Sequence, residues 1–132
     1  MAKTWDAPFA QTPQKIVAKV TTAHTSLESS TNAVLAFTAG AEGAVVTGLS
    51  FSPTETVTAG VAYVYSSPDG TTLHLLQAIA IAAVTVSTTS AGTKTDFAPT
   101  ETVPWRLAAG ERLYVAFSLT KMGTFSGRAM DY

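Results

Sequence analysis

The sequence predicts an all-β protein: an antiparallel, jelly-roll-like β-sandwich preceded by an extended N-terminal arm. The clearest signal is the segment Leu107–Leu119, in which a turn at Gly110 is followed by strict alternation of apolar residues. Turn signals recur along the chain at roughly 8–14 residue intervals, and no stretch has a convincing helical period. Thr and Ser make up about a quarter of the chain, and Thr favours strands.

The strand that follows Gly110 organises the prediction. One face carries only apolar side chains, namely Leu113, Val115, Phe117 and Leu119. The other face, with Tyr114, Ala116 and Ser118, is only weakly polar, so we expect it to be covered as well. A central strand with a neighbour on each side fits this pattern.

We predict an extended arm over residues 1–14 and a single domain over residues 15–132. Pro8 and Pro13 oppose helix in the arm. The arm also holds Trp5 and Phe9, although tails without structure are usually poor in aromatic residues. Two interpretations stay open, because the arm can dock on a neighbouring subunit or lie along its own domain.

Periodicity and turn residues place the other strands in order. The predicted strands are Ile16–Thr25, Ala33–Thr38, Ala44–Phe51, Val57–Ser66, Thr71–Ala80 and Thr124–Tyr132. Because Ala-rich sequence favours helix, Ala78–Ala83 is ambiguous, but Val84 and Val86 favour a long, bent continuation of its strand.

Glycine and proline mark the connections. Ser67–Gly70 predicts a hairpin turn in which Gly70 takes a positive φ. Gly40–Gly43 predicts a second turn, and Pro53 marks an edge or a bend. Thr88–Val103, rich in Thr, Ser, Gly and Pro, predicts a long loop.

Composition excludes several classes of function. The chain has 46% hydrophobic and only 13% charged residues, with a formal net charge of −1. Either part of the surface is covered by a partner, or Thr and Ser supply its polarity. The absence of a basic patch opposes nucleic-acid binding, and the lack of cysteine excludes disulfides and thiolate metal sites. We expect no membrane segment, because the most apolar run, Leu73–Val86, is too short.

No residue pattern points to catalysis, so we expect neither enzymatic activity nor a bound metal or cofactor. The two histidines, His24 and His74, fall on separate predicted strands with no acidic partner nearby in sequence. Glu55 and Glu101 share the context Thr-Glu-Thr-Val, which we interpret as chance or as two similar loop-to-strand transitions rather than as a catalytic pair.

The aromatic residues admit two interpretations. Trp105, Tyr63 and Tyr65 suggest either a platform for a sugar ring or ordinary packing in a core or interface, and packing is the commoner fate. The candidate residues for a protein interface are Trp5, Pro8, Phe9 and Trp105.

Three segments together resemble a known group of proteins. The segments Asn32–Gly40, Tyr65–Gly70 and Trp105–Val115 are similar to those of small β-sandwich structural proteins of tailed bacteriophages and prophages, which are head-associated and decoration-type. The resemblance covers roughly residues 16–132 and rests on packing and turn motifs.

The resemblance implies a capsid decoration or accessory head protein, assembled into the virion in the host cytoplasm. It implies partners among the particle's protein subunits, either the major capsid protein or neighbouring copies, and a homo-oligomeric or shell-repeated state. Two alternatives stay open: a tail, fibre-base or head–tail joining component, and a carbohydrate-binding jelly-roll module.

Overall fold

A computed structural model of the chain describes residues 12–25 and 32–132. The described residues form nine strands: β1 (Thr12–Val20), β2 (Val34–Thr38), β3 (Ala44–Pro53), β4 (Gly60–Ser67), β5 (His74–Ile81), β6 (Thr95–Asp96), β7 (Trp105–Leu107), β8 (Arg112–Phe117) and β9 (Gly123–Asp131). The all-β prediction is therefore confirmed. In the described ranges no helix is long and apolar enough to cross a membrane.

The strands form two antiparallel sheets. One has the order β1-β9-β3-β6, with β7 also paired to β3. The other has the order β2-β8-β4-β5. Strand β8 has a neighbour on each side, as its two apolar faces predicted.

An apolar core lies between the sheets and draws side chains from both. Leu113, Val115 and Phe117 of β8 are fully buried in it, as predicted, and Leu119 packs against it just after β8 ends. Across the core, Phe51 lies with its ring centroid 4.8 Å from that of Phe117 and 4.7 Å from that of Phe125. Rings at these separations add contact energy beyond the area they bury.

Three strands depart from the strict alternation that the sequence suggests. In β3 the register shifts between Val46 and Gly48, so that Val46 faces the core together with Leu49 and Phe51 instead of opposite them. An extra residue in one strand of a pair moves every later side chain to the other face. Similar shifts occur at Leu35–Phe37 in β2 and opposite Val64–Tyr65 in β5.

The first strand differs from prediction at both ends. Residues 12–14, assigned to the arm from the sequence, belong to β1 and pair with β9, from Thr12↔Asp131 onward. At its other end β1 stops at Val20, because its partner β9 begins at Gly123. The chain then moves to the second sheet, where the amide of His24 donates to the carbonyl of Phe117 at 2.8 Å.

Two further predictions need correction. The long loop Thr88–Val103 contains the short strand β6, which pairs with β3 at Ser50↔Asp96 and Phe51↔Thr95. Strand β5 ends at Ile81 and does not continue as one long bent strand. Beyond it, isolated bridges join Val84 to Val57 and Ser87 to Ser90.

The hairpin between β4 and β5 is confirmed, and Gly70 has a φ of 86°. The carboxylate of Asp69 accepts hydrogen bonds from the amides of Thr71 and Thr72, both at 2.8 Å. These bonds favour the charged carboxylate, so they hold the pKa of Asp69 well below its usual range. The Asp69 side chain, within the predicted turn Ser67–Gly70, therefore stabilises the conformation of the hairpin loop.

Candidate functional site

A groove of about 440 Å³ lies on the outer face of the first sheet. Its floor comes from β3 and β9, and one wall comes from the segment that carries β6. The lining residues are Thr47, Gly48, Leu49, Ser50, Lys94, Asp96, Phe97, Pro99, Thr100, Glu101, Ser126, Gly127 and Arg128. The sequence predicted a loop at 88–103 but not this groove, because the wall depends on the pairing of β6 with β3.

Small residues make the floor of the groove low and polar. Ser50 and Ser126 lie opposite each other, and the hydroxyl of Ser50 is 3.3 Å from both the hydroxyl and the carbonyl oxygen of Ser126. A Cβ at position 127 would overlap the carbonyl oxygen of Gly48, so the two backbones meet here only because residue 127 is glycine.

The charges of the groove are paired within its walls. Lys94 lies 3.7 Å from Asp96, and Arg128 lies 3.8 Å from Glu101. All four side chains are largely exposed, and exposed pairs of this kind contribute little to stability. The groove therefore offers hydroxyls and solvent-exposed charges at its surface, which suits a polar ligand held by hydrogen bonds.

The two histidines have different environments. His74 is exposed on the edge strand β5, on a different strand from the segment that carries His24. His24 is buried on the outer face of the second sheet, where its Nε2 lies 2.9 Å from the Tyr65 hydroxyl oxygen. In the part of the chain that the structure describes, no group of three or more His, Asp or Glu residues is arranged to hold a metal ion.

Glu55 contacts the turn just before β9, and Glu101 contacts Arg128 within β9. Glu55 accepts a hydrogen bond from the amide of Met122 at 3.0 Å and lies 3.4 Å from the Lys121 ammonium group. These contacts hold its pKa below the ordinary value. Glu101 pairs with Arg128, whose backbone lies six residues, or roughly 20 Å, beyond that of Met122. The two acids do not face one cleft.

An aromatic cluster covers part of the second sheet's outer face. Tyr65, fully buried, lies with its ring centroid 5.4 Å from that of His24 and 6.2 Å from that of Tyr63. Burial, with a smaller contribution from Tyr63, raises the pKa of Tyr65 to about 12. The predicted covering of this face is therefore supplied in part by the chain itself.

The aromatic platform considered for sugars does not form. Trp105 lies in β7 of the first sheet and packs, partly buried, against the core between the sheets. Tyr63 and Tyr65 belong to the cluster on the outer face of the second sheet. The two sets are on different sheets, so no single sugar ring stacks on all three.

An apolar row that the sequence did not reveal crosses the second sheet. The strand registers place Leu35 opposite Tyr114, Tyr114 opposite Tyr65, and Tyr65 opposite Leu75. At the two ends of the row Leu35 is 48% exposed and Leu75 is 43% exposed. The row joins residues from four separate segments, so no local pattern in the sequence signals it.

Of the predicted interface residues, only Trp105 lies among the described residues. Its partial burial is compatible with both packing and an interface role, which stays a prediction. Trp5, Pro8 and Phe9 lie outside the described residues.

Comparisons with protein-family models, with curated proteins and with solved structures find no match to this chain.

Proposed function

We propose that this chain is a non-enzymatic structural protein of a bacteriophage virion, an accessory protein bound to the capsid surface. The observation that carries the proposal is the nested order of strand pairing. β1 pairs with β9, β2 with β8, β3 with β6 and β7, and β4 with β5.

This nesting supports a jelly-roll assignment within the two-sheet architecture. When β6 and β7 are counted as one interrupted strand, residues 12–25 and 32–132 form eight strands that pair first with last, second with second-last, and so inward. Eight strands in two sheets with this order are typical of jelly rolls, which are frequent in viral capsid and lectin domains. The support is at the level of fold, and a fold hosts several functions.

The sequence resemblance and the composition of the surface also support a structural role. The resemblance at Asn32–Gly40, Tyr65–Gly70 and Trp105–Val115 points to head-associated proteins. The low charged content and the half-exposed leucines at 35 and 75 fit a protein that shares its surface with neighbouring subunits.

The test uses purified particles of the phage or prophage whose genome encodes the chain. We expect the protein in the particles by mass spectrometry, and antibody labelling distributed over the head in electron micrographs. Labelling restricted to the tail or its base would favour the alternative location. Normal expression without any protein in the particles would overturn the proposal.

The predicted arm is proposed to attach the domain to its neighbour through Trp5 and Phe9. Because β1 begins at Thr12, a truncated chain of residues 12–132 removes the arm and leaves the β1–β9 pairing intact. Added to particles that lack the protein, the truncated chain should reach lower occupancy than the full chain, and the double variant Trp5→Ala, Phe9→Ala should behave like the truncation. Equal occupancy of all three would mean that the arm does not attach.

The groove on the first sheet favours a second candidate, a carbohydrate-binding module. Its volume and its hydroxyl-rich floor at Ser50 and Ser126 suit a small polar ligand. A glycan array probed with the full chain tests this candidate. Binding that disappears in Ser126→Leu, whose side chain would fill the exposed floor, would favour it, and an array without any signal would reject it.

A further inference from the structure

The four edges of the two sheets are protected to very different degrees. An open sheet edge is a template for pairing with another chain, and proteins blunt such edges with charges, bulges, prolines or short strands. Strand β1 carries exposed Lys15 and Lys19. Strand β2 has five residues and a register shift, and β6 and β7 have only two and three residues.

Strand β5 has few of these devices. It is eight residues long and, among the described residues, pairs with β4 alone. It contains neither proline nor a charged residue, and the chain has no Asp, Glu, Lys or Arg from Gly70 to Thr93. The register shift at Leu76 leaves Gln77–Ile81 as a regular stretch in which Ala78 and Ala80 are exposed.

The edge is continuous with exposed apolar surface. Leu75, at the end of the apolar row on the outer face, lies on β5 itself. Leu76, 40% exposed, follows it, and Ala82 and Ala83 are exposed beyond the end of the strand. A partner strand along β5 would thus gain backbone hydrogen bonds and cover leucine side chains at the same time.

We infer that the β5 edge is a self-association surface on which β5 of a second copy of this chain adds in antiparallel orientation. The argument for a second copy is the charge pattern. In a two-fold antiparallel pair each strand faces its own sequence in reverse, so a charge near the axis, or two like charges placed symmetrically about it, come close to like charges, which is destabilising. β5 can face itself without that penalty, whereas β1, with Lys15 and Lys19, cannot.

This pairing would join two four-stranded sheets into one continuous sheet. The exposed Leu75 of each copy would then lie near the junction, beside the small side chains at positions 78 and 80. The inference concerns the protein alone and is independent of the proposed place in a virion, so the two stand or fall on separate experiments.

The experiment measures the self-association of the full chain by sedimentation velocity over roughly 1 µM to 1 mM. We expect a concentration-dependent dimer. Ala78→Lys should raise its dissociation constant at least about tenfold, because Ala78 lies beside the centre of the regular stretch Gln77–Ile81, and an axis there would bring two ammonium groups together. The matched control is Val17→Lys, which adds the same charge at an exposed position of the β1 edge and should leave the dissociation constant unchanged.

A cross-linking readout covers the case in which Ala78→Lys fails to fold by circular dichroism. The natural chain has no cysteine, so a single Ala78→Cys substitution introduces the only thiol. Under mild oxidation it should yield a disulfide-linked dimer, and Val17→Cys should not.

Three outcomes would overturn the inference. The first is that the full chain and the chain of residues 12–132 both stay monomeric throughout the concentration range. The second is a dimer that Ala78→Lys and Val17→Lys weaken equally or not at all. The third is a full chain that stays monomeric while the chain of residues 12–132 dimerises, which would mean that the arm of the same copy occupies the edge.

Discussion

The Nε2 atom of His24 and the hydroxyl oxygen of Tyr65 lie 2.9 Å apart in a buried site on the outer face of the second sheet. His24 follows β1, a strand of the first sheet, and Tyr65 lies in β4 of the second sheet. The pair therefore attaches the segment that passes between the two sheets to the second sheet. Neither residue is near the other in sequence.

Removal of the Tyr65 hydroxyl should destabilise the fold. In Tyr65→Phe the ring and its packing remain, but His24 loses the hydroxyl partner of its Nε2 atom. A buried polar group that loses its partner costs about 1–3 kcal/mol, and urea unfolding at neutral pH measures this difference. The control Tyr132→Phe removes a hydroxyl that accepts a hydrogen bond from Arg106 at an exposed site and should cost less.

Tyr65 should also make the protein sensitive to alkali. Burial raises the pKa of Tyr65 in the folded state to about 12, above the ordinary value of 10.0. The folded state therefore holds this proton more tightly than the unfolded chain. The resulting stability is fully present below pH 10 and is lost as the pH rises through 12. The free energy of unfolding should fall more steeply across this window in the natural protein than in Tyr65→Phe, and parallel curves would contradict the assignment.

Substitutions at Gly70 and Gly110 distinguish the cost of backbone strain from the cost of a clash with a neighbouring side chain. Both have positive φ, 86° and 72°, so valine at either position strains the backbone by roughly 1–3 kcal/mol. At Gly70 the new side chain would also displace the Arg112 guanidinium, which donates to the carbonyl of Asp69 at 3.1 Å, whereas a Cβ at Gly110 has no neighbouring atom within 4 Å. Gly70→Val should therefore lower the thermal midpoint more than Gly110→Val.

A double-variant experiment tests whether Arg112 causes the difference in thermal midpoint between Gly70→Val and Gly110→Val. In an Arg112→Ala background the guanidinium is absent, so Gly70→Val and Gly110→Val should become similar in cost. An unchanged difference would show that Arg112 is not its source.

The core face of β8 should carry a large share of the stability. Phe117→Ala or Leu113→Ala leaves a cavity among fully buried neighbours and should destabilise by about 2–5 kcal/mol. Val103→Ala, at a position that is 69% exposed, should change stability by no more than about 0.5 kcal/mol. Chemical denaturation of the three variants gives the comparison, and comparable losses in all three would contradict the described core.

The groove floor provides a matched pair of glycines. A Cβ at Gly127 would overlap the backbone of Gly48, which cannot move aside as a flexible side chain can, so Gly127→Ala should destabilise by about 1–3 kcal/mol. A Cβ at Gly48 meets only the Arg128 side chain, at 3.9 Å, so Gly48→Ala should be tolerated. Calorimetric midpoints distinguish the two, and the opposite ranking would contradict the approach of β3 to β9.

Local patterns predicted the class of fold and much of its detail. Alternation around Val115 indicated both the core face of β8 and its central place in a sheet, and Ser67–Gly70 indicated the hairpin and the positive φ. These features depend on residues close together in the chain, because alternating burial and turn conformation are both set by the identity of neighbouring residues. The candidate sites were not predictable in this way.

The sequence by itself determined that this protein is built from strands, where most of them lie, and which face of β8 turns inward. Only the tertiary structure decided the shift at Val46–Gly48, the groove beside β6, and the row from Leu35 to Leu75. Each of these arises where segments distant in sequence become neighbours. The physical reason is that a register shift or a close backbone approach exists only relative to a neighbouring strand. Which strands become neighbours is decided by long-range packing, which no local pattern in the sequence records.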